Sequence, residues 1–363
     1  MNYVRLGDLC VINSGGTPRR NNESYWKNGD IPWVKISDLK NGIVESTEEF
    51  ITLDGLNNSS AKIFPKGTLL YTIFATIGEV AILKMDAATN QAIVGIQLKE
   101  NKKVYLKYIY YYLKSQTNNI KQLGRGVAQN NINLSVVKNM IIPIVSLEKQ
   151  RNIIATLNKL EKIKENRITI LNCLDDLIKS RFDELFLDTH AIEIIEIGEL
   201  FEVGSSKRIL QSELTAYGVP FYRVTDLINR INDKTVDIKQ YVDEFKYMTL
   251  IKDKYVPQAG DFLITARGTI GKIYEVKQND RFYFQDGMIT WLKRKNNYIN
   301  SLFFMELVKT DWFRRQFYSS NNGTTISYLS ITDTRHLKVL LPSINLQKQF
   351  AQEVNQINKL KFA

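Results

Sequence analysis

The chain has little of what holds metals, crosslinks chains or breaks helices: two histidines, two cysteines and seven prolines in 363 residues. His190 and His336 stand far apart, so a zinc site is not expected. Cys10 and Cys173 lie in dissimilar contexts and read as reduced, buried thiols of a cytosolic protein rather than as a disulfide. No apolar run approaches a membrane span, and Met1-Asn2-Tyr3-Val4-Arg5 opens no signal peptide, so the expected location is cytoplasmic. The sequence has no Pro-Pro pair. That excludes the Asn/Asp-Pro-Pro-aromatic strip with which amino-methyltransferases hold a target base. The Gly-x-x-x-x-Gly-Lys-Ser/Thr loop of nucleoside-triphosphate hydrolases is missing too.

What is present is present twice. Leu6-Gly7-Asp8-Leu9 returns as Ile197-Gly198-Glu199-Leu200, and Ile31-Pro32-Trp33-Val34-Lys35 returns as Val219-Pro220-Phe221-Tyr222-Arg223. Gly67 followed by Thr76-Ile77-Gly78 returns as Gly260 followed by Thr269-Ile270-Gly271. Pro143-Ile144-Val145-Ser146-Leu147-Glu148-Lys149-Gln150 is matched with Pro342-Ser343-Ile344-Asn345-Leu346-Gln347-Lys348-Gln349, so that only Pro18 lacks a counterpart. A repeat of roughly 190 residues is far too long for a solenoid unit and implies two homologous domains in tandem.

Within residues 1–146 the pattern predicts a hairpin from Phe64 to Leu83 and a tyrosine-rich helix from Leu106 to Thr117. The second half repeats it with strands at Gly260–Thr265 and Ile270–Val276 and a helix from Leu302 to Phe317. From Leu147 to Phe186 there is no proline or glycine, and Ile154, Leu157, Leu160, Ile163, Ile168, Leu171, Leu174, Ile178, Phe182 and Leu185 recur at three- to five-residue spacing. This predicts a long amphipathic helix of coiled-coil character. A shorter one starts at Leu346, with Phe350, Val354, Ile357 and Leu360 on one face. Paired antiparallel, the two bring Leu346 near Phe186 and Ala363 near Ile168, leaving Leu157, Leu160 and Ile163 without an intramolecular partner. The formal net charge is +11. Residues 1–146 hold 17 Lys+Arg against 11 Asp+Glu. A basic chain without a membrane anchor meets a polyanion, or carries solvated surface charge.

Taken in order, the Gly-Asp-Leu opening, Ser14-Gly15-Gly16-Thr17-Pro18, Ile31-Pro32-Trp33, Gly67…Gly78 and its echo, the two helix entries, and Leu174-Asp175-Asp176-Leu177-Ile178-Lys179-Ser180-Arg181-Phe182 resemble the specificity subunits of Type I restriction-modification systems. The resemblance implies an α+β fold, with two homologous mixed α/β target-recognition domains separated by long coiled-coil helices about a pseudo-twofold axis. The segments are then domain 1 (1–146), a central spacer helix (147–187), domain 2 (188–345) and a short C-terminal spacer helix (346–363). It also implies a non-catalytic subunit that reads a bipartite site on double-stranded DNA and scaffolds methyltransferase subunits, two being expected. Restriction (motor) subunits join through that complex. S-adenosylmethionine, ATP and magnesium belong to those partners, and no cofactor is expected in this chain.

Candidate DNA contacts follow from matched loops that differ in side chain. Arg19 and Arg20 follow a glycine pair, and Lys207 and Arg208 stand at the corresponding place; both loops also read as turns with exposed charge. Lys35 is matched by Arg223. Thr76 is matched by Thr269, beside Arg267, whose fork suits guanine O6 and N7. Arg125, Gln129 and Asn130 precede one returning strand and Asn322 the other; amides there suit adenine, or form a plain polar loop. Leu157, Leu160 and Ile163 are the candidate partner surface, for a methyltransferase subunit or for self-association of the lone chain. Two rivals remain open at this point: a self-contained metal-dependent nuclease using Asp261, Glu275 and Lys277, and a polyanion-binding adaptor without sequence preference.

Overall fold

A computed structural model describes residues 2–100, 103–124, 131–188, 192–317 and 328–362. The chain forms two compact units, Met1–Asn166 and Arg167–Ala363, divided within the helix Leu147–Phe182. Each unit thus owns about half of that helix. Among the described residues, no helix is long and apolar enough to cross a membrane.

In the first unit, Asn2–Arg5 pairs antiparallel with Ile141–Ile144 and ties the two ends of the domain together. Gly67, at φ +89°, makes the turn into Leu69–Thr72, which pairs antiparallel with Val80–Leu83 as the hairpin pattern requires. These strands lie in a five-stranded sheet ordered Cys10–Ser14, Ile93–Leu98, Leu69–Thr72, Val80–Leu83, Ile43–Val44. Leu69–Thr72 is buried throughout, which is why it reads as a continuous apolar run rather than an alternation. One side of the sheet packs Leu69, Tyr71 and Ile96 against Ile109 and Leu113 of the helix Leu106–Ser115. The other joins Leu70, Ala81 and Ile93 to Val34 and Phe64 of a second sheet, in which Ile31–Val34 runs parallel to Ala87–Thr89.

The second unit repeats this plan. Glu193–Glu196 pairs with Lys338–Leu341, and a sheet ordered Phe201–Gly204, Ile289–Arg294, Phe262–Thr265, Ile273–Glu275 packs beside another in which Val219–Tyr222 runs parallel to Tyr283–Phe284. The closing helix, Ile344–Phe362, lies antiparallel to the second half of the long helix. Arg181 Nε donates to Glu353 at 3.1 Å, Arg167 bonds the Lys361 carbonyl, and the rings of Phe182 and Phe186 stand 5.5 and 5.3 Å from that of Phe350. The expected pairing of Leu346 with the Phe186 end is therefore present.

Four expectations need correction. The helix expected over Leu302–Phe317 is broken into Ser301–Leu307, Asp311–Arg314 and a 3₁₀ turn at Arg315–Phe317. Thr310 causes the restart by accepting the Phe313 N–H at 3.2 Å as an N-cap. Cys10 is buried, and burial pushes its thiol up to about 12, but Cys173 is exposed on the long helix. The proline match 143/342 is two residues out of register: pairing Ile141 with Arg5 corresponds to pairing Lys338 with Glu196, so Pro143 answers to Leu340 and Gln150 to Gln347. Finally, Leu157 is not without a partner. It packs on the first unit's core, whereas Leu160 and Ile163 are 54% and 63% exposed.

Candidate nucleic-acid interface

The hairpin tips of the two units are built alike beneath and differ on top. Buried Thr72 donates its hydroxyl to the Thr76 carbonyl and accepts from Glu79 N at 2.9 Å. Thr265 does the same with the Thr269 carbonyl and Lys272 N, also at 2.9 Å. Gly78 and Gly271 close the two turns at φ +87° and +79°. Ala75 and Gly268 share a left-handed conformation, φ +57° and +72°, so Arg267 answers to Phe74. Each makes an isolated antiparallel bridge, Phe74 with Asn131 and Arg267 with Tyr328. The exposed tips are therefore Ala75-Thr76 in one unit and Arg267-Gly268-Thr269 in the other.

The glycine-rich loop of the first unit serves packing. A Cβ on Gly15 would fall 2.1 Å from Thr89 Oγ1, and one on Gly16 would fall 2.3 Å from the Ser60 carbonyl carbon. The indole of buried Trp33 donates to the Gly16 carbonyl at 3.0 Å. In the second unit Tyr283 donates its hydroxyl to the Lys207 carbonyl at 2.9 Å. The strand register, Asn13 opposite Gly95 and Gly204 opposite Trp291, makes Lys207 answer to Gly16 and not, as the loop match suggests, to Arg19, so different side chains fasten corresponding backbone oxygens. Arg20 does not extend freely from this loop. Its guanidinium lies 3.8 Å from the Trp26 ring centre and 4.6 Å from that of Trp33, and it pairs with Glu49. Lys35 is held between Glu48 and Glu49 at 2.9 and 3.2 Å. Burial raises the Glu49 carboxyl, but the hydrogen bonds from Arg20 and Lys35 outweigh it and hold the group below its usual range. Nothing in the sequence distinguished this Trp26–Arg20–Trp33 clamp from an exposed cation pair.

Arg19 and Arg208 are exposed. Lys207 lies 3.9 Å from Asp253 and over the Tyr255 ring, and Arg223 bonds Gln211 and Gln240. Arg125, Gln129, Asn130 and Asn322 lie outside the described residues.

The sequence profile described as "Type I restriction modification DNA specificity domain" matches residues 1–172 and again 190–362. The chain belongs to this family. It is 26% identical to the Type I restriction enzyme MjaIX specificity subunit of Methanocaldococcus jannaschii, over 95% of this chain and 84% of that one. It is 30% identical to the EcoR124I/EcoR124II specificity subunit of Escherichia coli over 46% of this chain and 42% of the relative. Among solved structures, the S subunit of a Type I restriction-modification system from M. genitalium superposes with a TM-score of 0.53 at 20% identity, covering 99% of this chain and 91% of that one. A chain from a study of complex assembly in the type I R-M system gives 0.59 at 17% identity, covering 99% and 90%.

Two copies of the specificity domain, one per unit, account for the internal repeat. The nuclease alternative fails on the chemistry of Asp261. That carboxylate is 4% exposed and already accepts from Gln258 N at 2.8 Å, Arg294 N at 2.9 Å and Trp291 Nε1 at 3.0 Å. It anchors the strand Ile289–Arg294 of the second specificity domain, while Lys277 pairs with Glu275. Among the described residues no group of three His, Cys, Asp or Glu side chains is placed to hold a metal.

The first half of the long helix is fastened to the first specificity domain by polar as well as apolar contacts. The Tyr111 hydroxyl lies 2.7 Å from both Asn158 and Glu161 and donates to the Glu161 carboxylate, and Lys114 pairs with Glu161 at 2.8 Å. Burial raises the Glu161 carboxyl, but the bonds from Lys114 and Tyr111 prevail and lower it. Leu160 and Ile163, on either side of Glu161 in the sequence, are exposed.

Proposed function

We propose that each specificity domain of this chain reads one half of a bipartite DNA site, and that the chain works in the cytoplasm as the recognition subunit of a Type I restriction-modification enzyme. The observation that carries this reading is the pair of hairpin tips: the same buried threonine, the same glycine-closed turn and the same bridge, topped by different exposed side chains. A fixed stem with a variable tip is what reading two different half-sites with one scaffold requires. Exposed cations such as Arg19 and Arg208 supply phosphate attraction, which sets affinity without choosing sequence. Methylation and cleavage fall to partners: two methyltransferase subunits with S-adenosylmethionine, and restriction subunits with ATP and magnesium. Leu160 and Ile163 are the surface offered to a methyltransferase subunit.

The test is to replace residues 197–341 by the corresponding domain of another family member and sequence the methylated motif in cells that also express the methyltransferase. One half of the motif should change and the other persist. A change in both halves, or in neither, overturns the division of labour.

A further inference from the structure

Arg267 stands apart from the other candidate cations in how it is held. Its guanidinium carbon lies 4.3 Å from the centre of the Tyr328 ring. Its backbone is bridged to Tyr328, and Leu329 N donates to the neighbouring Ala266 carbonyl at 2.8 Å. The turn under it is clamped by Thr265, and a Cβ built on Gly268 would meet nothing within 4 Å, so the tip stands clear of the domain. Among the described residues, no acceptor takes a hydrogen bond from the guanidinium. The side chain thus has a fixed root, an aromatic ring under its guanidinium carbon and unspent donors. A cation serving only phosphate attraction needs no such support. A planar fork backed by a ring at an exposed tip suits the O6 and N7 acceptors of guanine in the major groove. In the first domain the corresponding residue is Phe74, half-buried on the core and without a donor.

We propose that Arg267 reads a guanine in the second half-site, with Tyr328 as the residue that positions it. This deepens the function proposed above and rests on it. The first domain cannot read guanine from the same place, so the tips contribute to the difference between the half-sites.

The experiment uses the full chain in complex with its methyltransferase. Once the methylated motif is sequenced, 7-deazaguanine is placed at each guanine of the second half-site in turn. One position should weaken wild-type binding by about 5- to 150-fold, and the same substitution should cost Arg267→Ala nothing further. Arg267→Lys keeps the charge and loses the fork; it should lose selectivity at that base while binding random DNA as wild type does. Tyr328→Ala should lose part of the selectivity and Tyr328→Phe should restore it, because the ring alone supplies the stack. Wild-type selectivity in Arg267→Lys, equal weakening on specific and random DNA in Arg267→Ala, or a second half-site without guanine each overturns the assignment. A normal bipartite motif unaffected by Arg267→Ala removes this proposal only; absence of any bipartite motif with the wild-type chain removes both.

Discussion

Gln150 and Gln347 hold the same place in the two domains. Gln150 Oε1 accepts Tyr105 N at 3.0 Å and its amide donates to the carbonyls of Lys103 and Val145; Gln347 accepts Asn300 N at 2.7 Å and donates to those of Tyr298 and Pro342. Both side chains are fully buried. Each fastens the first turn of a spacer helix to the head of the domain's own helix, Leu106–Ser115 or Ser301–Leu307.

Replacing either glutamine by leucine keeps the volume and strands one N–H and two carbonyls. Each variant should lose roughly 2–4 kcal/mol of stability, read by denaturant unfolding. A loss below about 0.5 kcal/mol would show that water replaces the amide and the pin is dispensable.

The three apolar residues of the long helix should separate into two classes. Leu157→Ala should destabilise the first domain by about 1–2 kcal/mol, since only part of its surface is covered. Leu160→Asp/Ile163→Asp should leave the unfolding midpoint of the lone chain nearly unchanged yet abolish co-purification with the methyltransferase subunit. Retained assembly in the double variant removes these residues from the partner surface.

Arg19 and Arg20, adjacent in sequence, should behave differently. Arg19→Ala/Arg208→Ala should weaken binding to all sequences alike and lower the slope of log K against log salt by about 2. Arg20→Ala instead removes a half-exposed cation that lies against two indoles already in edge contact with each other, and should cost about 1 kcal/mol of folding stability. If Arg20→Ala changed only the salt slope, its clamp would have no energetic weight.

The Glu161 cluster predicts an acid-sensitive docking of the long helix on the first domain. Its carboxyl is lowered in the folded chain, so its contribution is complete above the ordinary carboxylate range and is lost as pH falls through the lowered value. Glu161→Gln should flatten the acid limb of melting temperature against pH and leave the neutral region little altered. An acid limb identical to wild type would exclude the cluster as its source.

The repeat, the hairpins and the long helix were legible because they follow from periodicity and turn residues, which are local. Register was less so. The Pro-x-x-x-Leu-x-x-Gln match favoured Gln349 as the partner of Gln150, whereas the pairing of Lys338 with Glu196 and the matching set of buried hydrogen bonds identify Gln347. Side-chain commitment was least legible. Arg20 and Lys35 read as free cations because Glu49 lies far along the chain, and Leu157 read as exposed because its cover comes from the first domain's core rather than from a facing helix. Arg267 was visible as an oddity in a repeated loop, but its support, Tyr328, is 61 positions away and carries no local signal.

Gly95 and Trp291 occupy one position in the two central strands, opposite Leu70 and Leu263. A Cβ on Gly95 would fall 2.3 Å from the Phe64 ring, whereas Trp291 fills that space and bonds Asp261. Each domain has therefore solved its interior by a different exchange of bulk, and the solutions do not mix. A crossover inside the sheet, joining the Phe64 segment to the Trp291 strand, puts two rings where one fits; the reverse leaves a hole and a stranded carboxylate. Recombination that reshuffles half-sites among such chains would yield folded offspring only when its breakpoints fall outside the sheets, so that new combinations are inherited a whole domain at a time.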